Sequence, residues 1–277
     1  MSTADHHPAS LATKPLFAPI GRWLERCAGT GLPDHAALDA LLAEAAPGTR
    51  SGGGAPIRFV PPGDTPAGYE AHIFARGEVP TRSGDWHDFF NALAWCAWPR
   101  TKATLNRLHV EELQTRTAAG LSGRGPRRDA LTQFDECGIV VVSADTEIPA
   151  LLAAHEWEAA LWDRRQRLAR TTRFLVFGHA TWALLRAPFF GLCAKALYRR
   201  VAPDWLALPA DAALADTDAW LAHEFTTMIG DFSPRSLSPL PLLGIPGMTP
   251  ENECAAYYRD TRQFRPRRAH EAHAAIL

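Results

Sequence analysis

His87 and Asn91 stand four residues apart, and Lys102, Asn106 and His109 follow at i, i+4 and i+7. On helices, each set shares one face. Asp88 lies beside the first set, and Arg127, Arg128, Asp129, Thr132, Asp135 and Glu136 come soon after. If two such helices pack antiparallel, their polar stripes converge on one cleft. Neutral imidazole and carboxylate are ligands for zinc, manganese and iron. Lys102 with Arg127 or Arg128 suits an anionic group, which a guanidinium grips in a bidentate manner. A carboxylate left off the metal, Asp135 or Glu136, suits a general base acting on a bound water.

These residue types support three readings. The leading one is a metal-assisted hydrolase for a phosphate-containing or otherwise anionic substrate. In it His87, Asp88 and His109 ligate a divalent zinc, manganese or iron ion, with Asp135 as a further candidate ligand. Glu136 is the general base, Lys102 and Arg128 hold the anion, and Asn91 and Asn106 orient ligands or water. The second reading is a non-catalytic cleft for a small anion, a nucleotide or a partner's terminus. The third is a buried hydrogen-bond network that fixes a helical corner, costly unless every member is satisfied. No short catalytic motif decides among them: H-E-x-x-H, G-x-S-x-G, G-x-x-x-x-G-K-S/T and G-x-G-x-x-G are all missing. His179 reads as a hydrogen-bonded core histidine. Arg164, Arg165, Arg167, Arg170 and Arg173 read as a solvated helix face. Arg259–Arg268 reads either as a nucleic-acid contact or as an arm clamped by salt bridges.

The elements that must position these groups follow from periodicity and punctuation. Asp85 caps a helix over 86–98, Pro99 ends it, and Thr101 opens a second helix running to about Thr117. Helices joined this tightly make a hairpin or a sharp corner. Ala130–Phe134, a turn at Asp135-Glu136-Cys137-Gly138, and Ile139–Ser143 read as a β-hairpin. Upstream, residues 1–15 look untethered and Leu16–Ala46 reads helical, with Asp34 as an internal cap. Thr49–Ala55 is a flexible connector, Ile57–Val60 a short strand, and Tyr69–Arg76 extended. Downstream, helices are expected over 146–169, 171–186 and 216–229. The fold class is therefore α+β: one mainly helical globule over 16–268, its helical corner packed beside a small antiparallel hairpin or sheet, with a tail over 269–277.

Composition sets the outer bounds. With 277 residues, 47% of them hydrophobic and 21% charged, the chain can bury a sizeable core. A formal net charge of −1 gives no global drive toward nucleic acid or an anionic membrane. The 5 cysteines are odd in number and widely spaced, which argues against a disulfide framework or a cysteine zinc site and for reduced thiols in the cytoplasm. No secretory leader is evident, and the most apolar stretch, Arg173–Arg186, falls short of the ~20 residues a spanning helix needs. The 9 tryptophans are scattered as core residues are, not spaced as stacking platforms.

Several longer motifs carry a resemblance. They include Tyr69-Glu70-Ala71-His72-Ile73-Phe74, Gly77-Glu78-Val79-Pro80-Thr81-Arg82 and Trp86-His87-Asp88-Phe89-Phe90-Asn91-Ala92-Leu93. Pro99-Arg100-Thr101-Lys102, Arg128-Asp129-Ala130-Leu131-Thr132, Phe134-Asp135-Glu136, Phe177-Gly178-His179 and Leu243-Gly244-Ile245-Pro246-Gly247 extend them. Together they resemble the proteobacterial domain-of-unknown-function family numbered 3025, over roughly residues 16–268. The resemblance implies a bacterial cytoplasmic protein with one full-length domain, and it transfers no activity.

Overall fold

The computed structural model describes residues 7–27, 31–228 and 232–267. Two single turns, Pro8–Leu11 and Pro15–Phe17, lead into α1 (Gly21–Arg26), and Leu11, Leu16, Phe17 and Ile20 all sink into the core. The chain is thus anchored before residue 16. The helical stretch expected over 16–46 is broken, and its second half is α2 (His35–Ala45), capped by the Asp34 side chain as its spacing foretold. The short strand β1 (Arg58–Val60) pairs in parallel with β2 (Glu78–Pro80).

Between them, Tyr69–Arg76 is a helix, α3, where an extended segment was expected. Gly68, at φ 91°, turns the chain into it, and Gly77, at φ 69°, ends it in the left-handed conformation that glycine adopts freely. Glu70 in the first turn and Arg76 in the last also favour the helix dipole. These end signals outweigh the strand preference of Tyr, Ile and Phe.

The corner forms as expected. Asp85 accepts a hydrogen bond from the Asp88 amide and opens α4 (Trp86–Ala97). Only Trp98 separates α4 from α5 (Pro99–Ala118), so Pro99 is the first residue of the second helix as well as the stop of the first. Asp218 caps α5 from a distant helix, accepting from the amides of Arg100 and Thr101. Trp98 is fully buried and donates its indole N–H to the Val176 carbonyl at 3.1 Å, which ties the corner to the sheet.

The predicted hairpin is not there. Its first arm and turn are a helix, α6 (Gly125–Cys137), and only its second arm is a strand, β3 (Gly138–Ser143). Pro126 suits a first helical turn, and Ala130, Leu131 and Phe134 bury one helical face. Strand β3 is buried along its whole length, so it needs partners on both sides. After α7 (Ile148–Ala153), a π-helical turn (Ala159–Asp163) and α8 (Arg165–Thr171), the chain supplies β4 (Thr172–Val176), antiparallel to β3. Then come α9 (His179–Leu185) and β5 (Cys193–Arg200), which lies parallel to β3 on its other side. Helix α10 (Ala210–Thr227) leads to β6 (Ser238–Pro241), completing the order β4-β3-β5-β6. The helices expected over 146–169 and 171–186 are therefore interrupted, the second by a strand. Helix α10 starts before residue 216, and residue 229 lies outside the described residues.

One hydrophobic cluster runs from Leu11 to Phe264 and takes in Trp23, Trp95, Trp98 and Trp182, which accords with tryptophan as core. Of the arginines read as a solvated face, Arg164 and Arg167 pair with Glu147 and Arg165 with Glu253, while Arg170 and Arg173 are exposed. Arg259 pairs with Glu158, the clamped-arm alternative for that segment; Arg268 and the tail over 269–277 lie outside the described residues. No helix among the described residues is long and apolar enough to cross a membrane.

Candidate metal centre

Five helices meet at one cleft of about 390 Å³. The first turns of α4 bring His87, Asp88 and Asn91, the middle of α5 brings His109, and α6 brings Arg128, Thr132, Asp135 and Glu136. The start of α9 adds His179 and the start of α3 adds Tyr69 and Glu70. A larger groove beside Arg22 and Asp218 has no comparable group of ligating side chains among the described residues.

At one point the ligating atoms of His87, Glu136 and His179 lie within 4.8 Å of one another. Glu136 Oε2 is 3.9 Å from His87 Nε2 and 3.5 Å from His179 Nε2. The imidazole rings stand edge to face, 4.5 Å between centres. Two imidazoles and a carboxylate oxygen so arranged match the donor set of zinc and related divalent ions. His87 and Glu136 are partly exposed while His179 is buried, so the group is rooted in the core and open toward solvent.

His179 reaches this position through a close approach that only glycine permits. A Cβ on Gly178 would lie 2.4 Å from the Glu136 carbonyl oxygen and 2.4 Å from the Gly138 nitrogen. The amides of Phe177 and Gly178 both donate to the Gly138 carbonyl at 2.9 Å, which clips the start of α9 to the end of α6. On its far side, His179 Nδ1 lies 3.8 Å from Asp135 Oδ2 and makes no hydrogen bond of normal geometry. A carboxylate behind an imidazole, with the other ring nitrogen facing outward, is the usual support of a metal-binding histidine. Burial pushes the His179 pKa down to about 3, so the ring is neutral at pH 7, the form a metal requires. Burial also pushes Glu136 up, and the neighbouring Asp135 charge adds to this. Asp135 is largely buried too, and desolvation raises its pKa, yet the Lys102 charge and hydrogen bond together with the neighbouring His179 and His109 outweigh it and hold the carboxyl below the usual range.

The remaining predicted residues divide by position. Lys102 does not line the cleft. Its ammonium donates to Asp135 Oδ1 at 2.6 Å and to Asn91 Oδ1 at 3.0 Å, so it holds Asp135 from beneath. Asp88 lines the cleft, but Arg82 takes both its oxygens, with Nε to Oδ2 at 2.8 Å and Nη2 to Oδ1 at 2.9 Å. His109 is buried in the cleft wall with Nδ1 unpartnered, and burial lowers its pKa. Neither Asp88 nor His109 joins His87 in the close group; Glu136 and His179 do. Asn106 bonds to the Gly52 amide and to Glu70, bracing α3 against α5. Arg128 faces the cleft with Nε buried and unpartnered.

Sequence reasoning read His179 as a hydrogen-bonded core histidine, whereas it is buried with Nδ1 unpartnered and joins the close group, and it gave Tyr69 no role in the site. For His179 the available signal was the glycine before it; for Tyr69, misread as extended, it was the glycines bracketing 69–76.

The chain belongs to the family described as "Protein of unknown function (DUF3025)", whose model matches residues 57–268 and so contains every residue of this cleft. No curated protein and no solved structure matches the chain.

Proposed function

We propose that this DUF3025 member is a metal-dependent hydrolase acting on a phosphate-containing or otherwise anionic substrate. The observation that carries the reading is the close group of His87, Glu136 and His179 at the base of a solvent-open cleft. A divalent ion held there would supply Lewis acidity and lower the pKa of a water bound to it. His87, Glu136 and His179 would hold the ion. Glu136 would serve as general base through its second carboxylate oxygen. Asp135 orients His179, and Lys102 keeps Asp135 ionised. Arg128 holds the substrate's anionic group, while Asp88, clamped by Arg82, shapes the rim.

A second reading has support of its own. The Arg128 guanidinium, without an ion pair among the described residues, suits a cleft that binds an anion without reacting it. The two separate cleanly. Protein purified without chelator is analysed by elemental mass spectrometry beside His87→Ala and His179→Ala. Near-stoichiometric zinc, manganese or iron, lost in both variants while circular dichroism stays native, is the expected result. No metal, even after incubation with each ion, removes the hydrolase reading in favour of anion binding.

A further inference from the structure

We propose that Tyr69 is a fixed hydrogen-bond donor to an oxyanion in the cleft, acting together with the Arg128 guanidinium. This deepens the function proposed above and rests on its reading of the cleft as a site for an anionic group.

The inference follows from a chain of donors and acceptors whose directions are forced. An ammonium only donates. Lys102 Nζ lies 3.0 Å from one end of the Asn91 amide, so that end is the oxygen. The amide NH₂ then faces the other way, where Nδ2 is 3.0 Å from the Tyr69 hydroxyl. An NH₂ group also only donates, so the Tyr69 oxygen must accept. The phenolic proton therefore points away from Asn91. Among the described residues no group accepts it, and Tyr69 lines the cleft. Although 40% of Tyr69 is exposed, desolvation around its hydroxyl, with the nearby Glu70 and Asp135 charges, raises its pKa and keeps the proton in place. The anchor at the far end is rigid, because Lys102 is itself held by Asp135 at 2.6 Å.

Arg128 supplies the charge. The other cations around the cleft are committed: Arg82 to Asp88, Lys102 to Asp135, and Arg124 to the Thr132 hydroxyl at 2.8 Å with Asp129 at 4.0 Å. Arg128 has no ion pair among the described residues, and its Nε is buried with no acceptor. His109, whose Nδ1 is buried and unpartnered, lines the same cleft. Buried polar groups are nearly always satisfied, so the unpartnered Arg128 Nε and His109 Nδ1 beside one cleft, with the free Tyr69 proton, call for a polar ligand. A phenol donor and a free guanidinium specify an oxyanion, a phosphate or carboxylate group on the substrate.

The test is calorimetric titration of the full-length protein with inorganic phosphate and, separately, acetate. It is run as purified and again after chelation, beside Tyr69→Phe and Arg128→Met. Saturable binding of one of the two anions is expected, weakened roughly tenfold or more by Tyr69→Phe, because a hydrogen bond to a charged group is lost. Arg128→Met weakens it further, and the melting temperature of Tyr69→Phe stays at the wild-type value. Binding that survives chelation and falls in Tyr69→Phe upholds the donor even if the protein holds no metal, so the metal reading can fail on its own. Wild-type protein that binds neither anion, or Tyr69→Phe that binds as tightly as wild type, overturns the proposal. Which anion wins tells phosphate substrates from carboxylate ones.

Discussion

Replacing Lys102 by Met tests whether the ion pair beneath the cleft holds the site together. Lys102 and Asp135 keep only 7% and 18% of their side chains exposed, and their charges meet at 2.6 Å. Removing one partner of a buried pair costs about 3–5 kcal/mol, because the other charge is left desolvated. Asp135 retains some water contact and the edge of His179, so about 3 kcal/mol at pH 7 is the expected loss. In the wild type the Asp135 pKa is depressed by Lys102 against the effect of burial. Its contribution is thus present above the unfolded-state value of about 3.9 and is lost as pH falls through the lower native value. Without Lys102, burial dominates and the Asp135 pKa rises. The variant's deficit should then be largest at pH 7 and shrink toward pH 5 as the carboxyl takes up a proton. Urea unfolding followed by tryptophan fluorescence measures both quantities. The double variant Lys102→Met, Asp135→Asn should recover at least half of the loss. A loss below about 1 kcal/mol, far under that expected for a buried pair, or one that does not change with pH, refutes the reasoning.

Two further outcomes follow from the same geometry. His179 has a native pKa of about 3 against about 6.5 unfolded, so its contribution is present above pH 6.5 and lost as pH falls below it. Metal-free His179→Gln should therefore lose stability less steeply between pH 6.5 and 5, by up to about 1.4 kcal/mol per pH unit; an unchanged slope in acid unfolding curves contradicts a neutral buried imidazole. Gly178→Ala should push α9 away from the end of α6, since its Cβ meets backbone atoms at 2.4 Å. Zinc titration should show metal affinity down roughly tenfold or more, the scale seen when the support of a ligand is lost, and wild-type affinity would show the close approach to be dispensable.

The sequence by itself determined the corner and the polar stripes it carries. Asp85, the apolar run of α4, and Pro99 are local signals, and local signals set where helices start and stop. The i, i+4 and i+7 spacing of Lys102, Asn106 and His109 also marked one helix face, though it did not tell which members face the cleft. Lys102 turned downward because Asp135 lies beneath it, and Asp88 turned to Arg82, six residues earlier across a loop. Tertiary structure decided the rest. Residues 130–137 and 172–176 have mixed local preferences, and the outcome was set by β3, a strand buried on both faces that needs β4 on one side and β5 on the other. Once β4 is paired, Gly178 must cross the end of α6, and that crossing puts His179 against Glu136. The close group of His87, Glu136 and His179 joins residues from three helices. Its ligands have no common sequence spacing, because what fixes them is the pairing of strands rather than the period of any one helix.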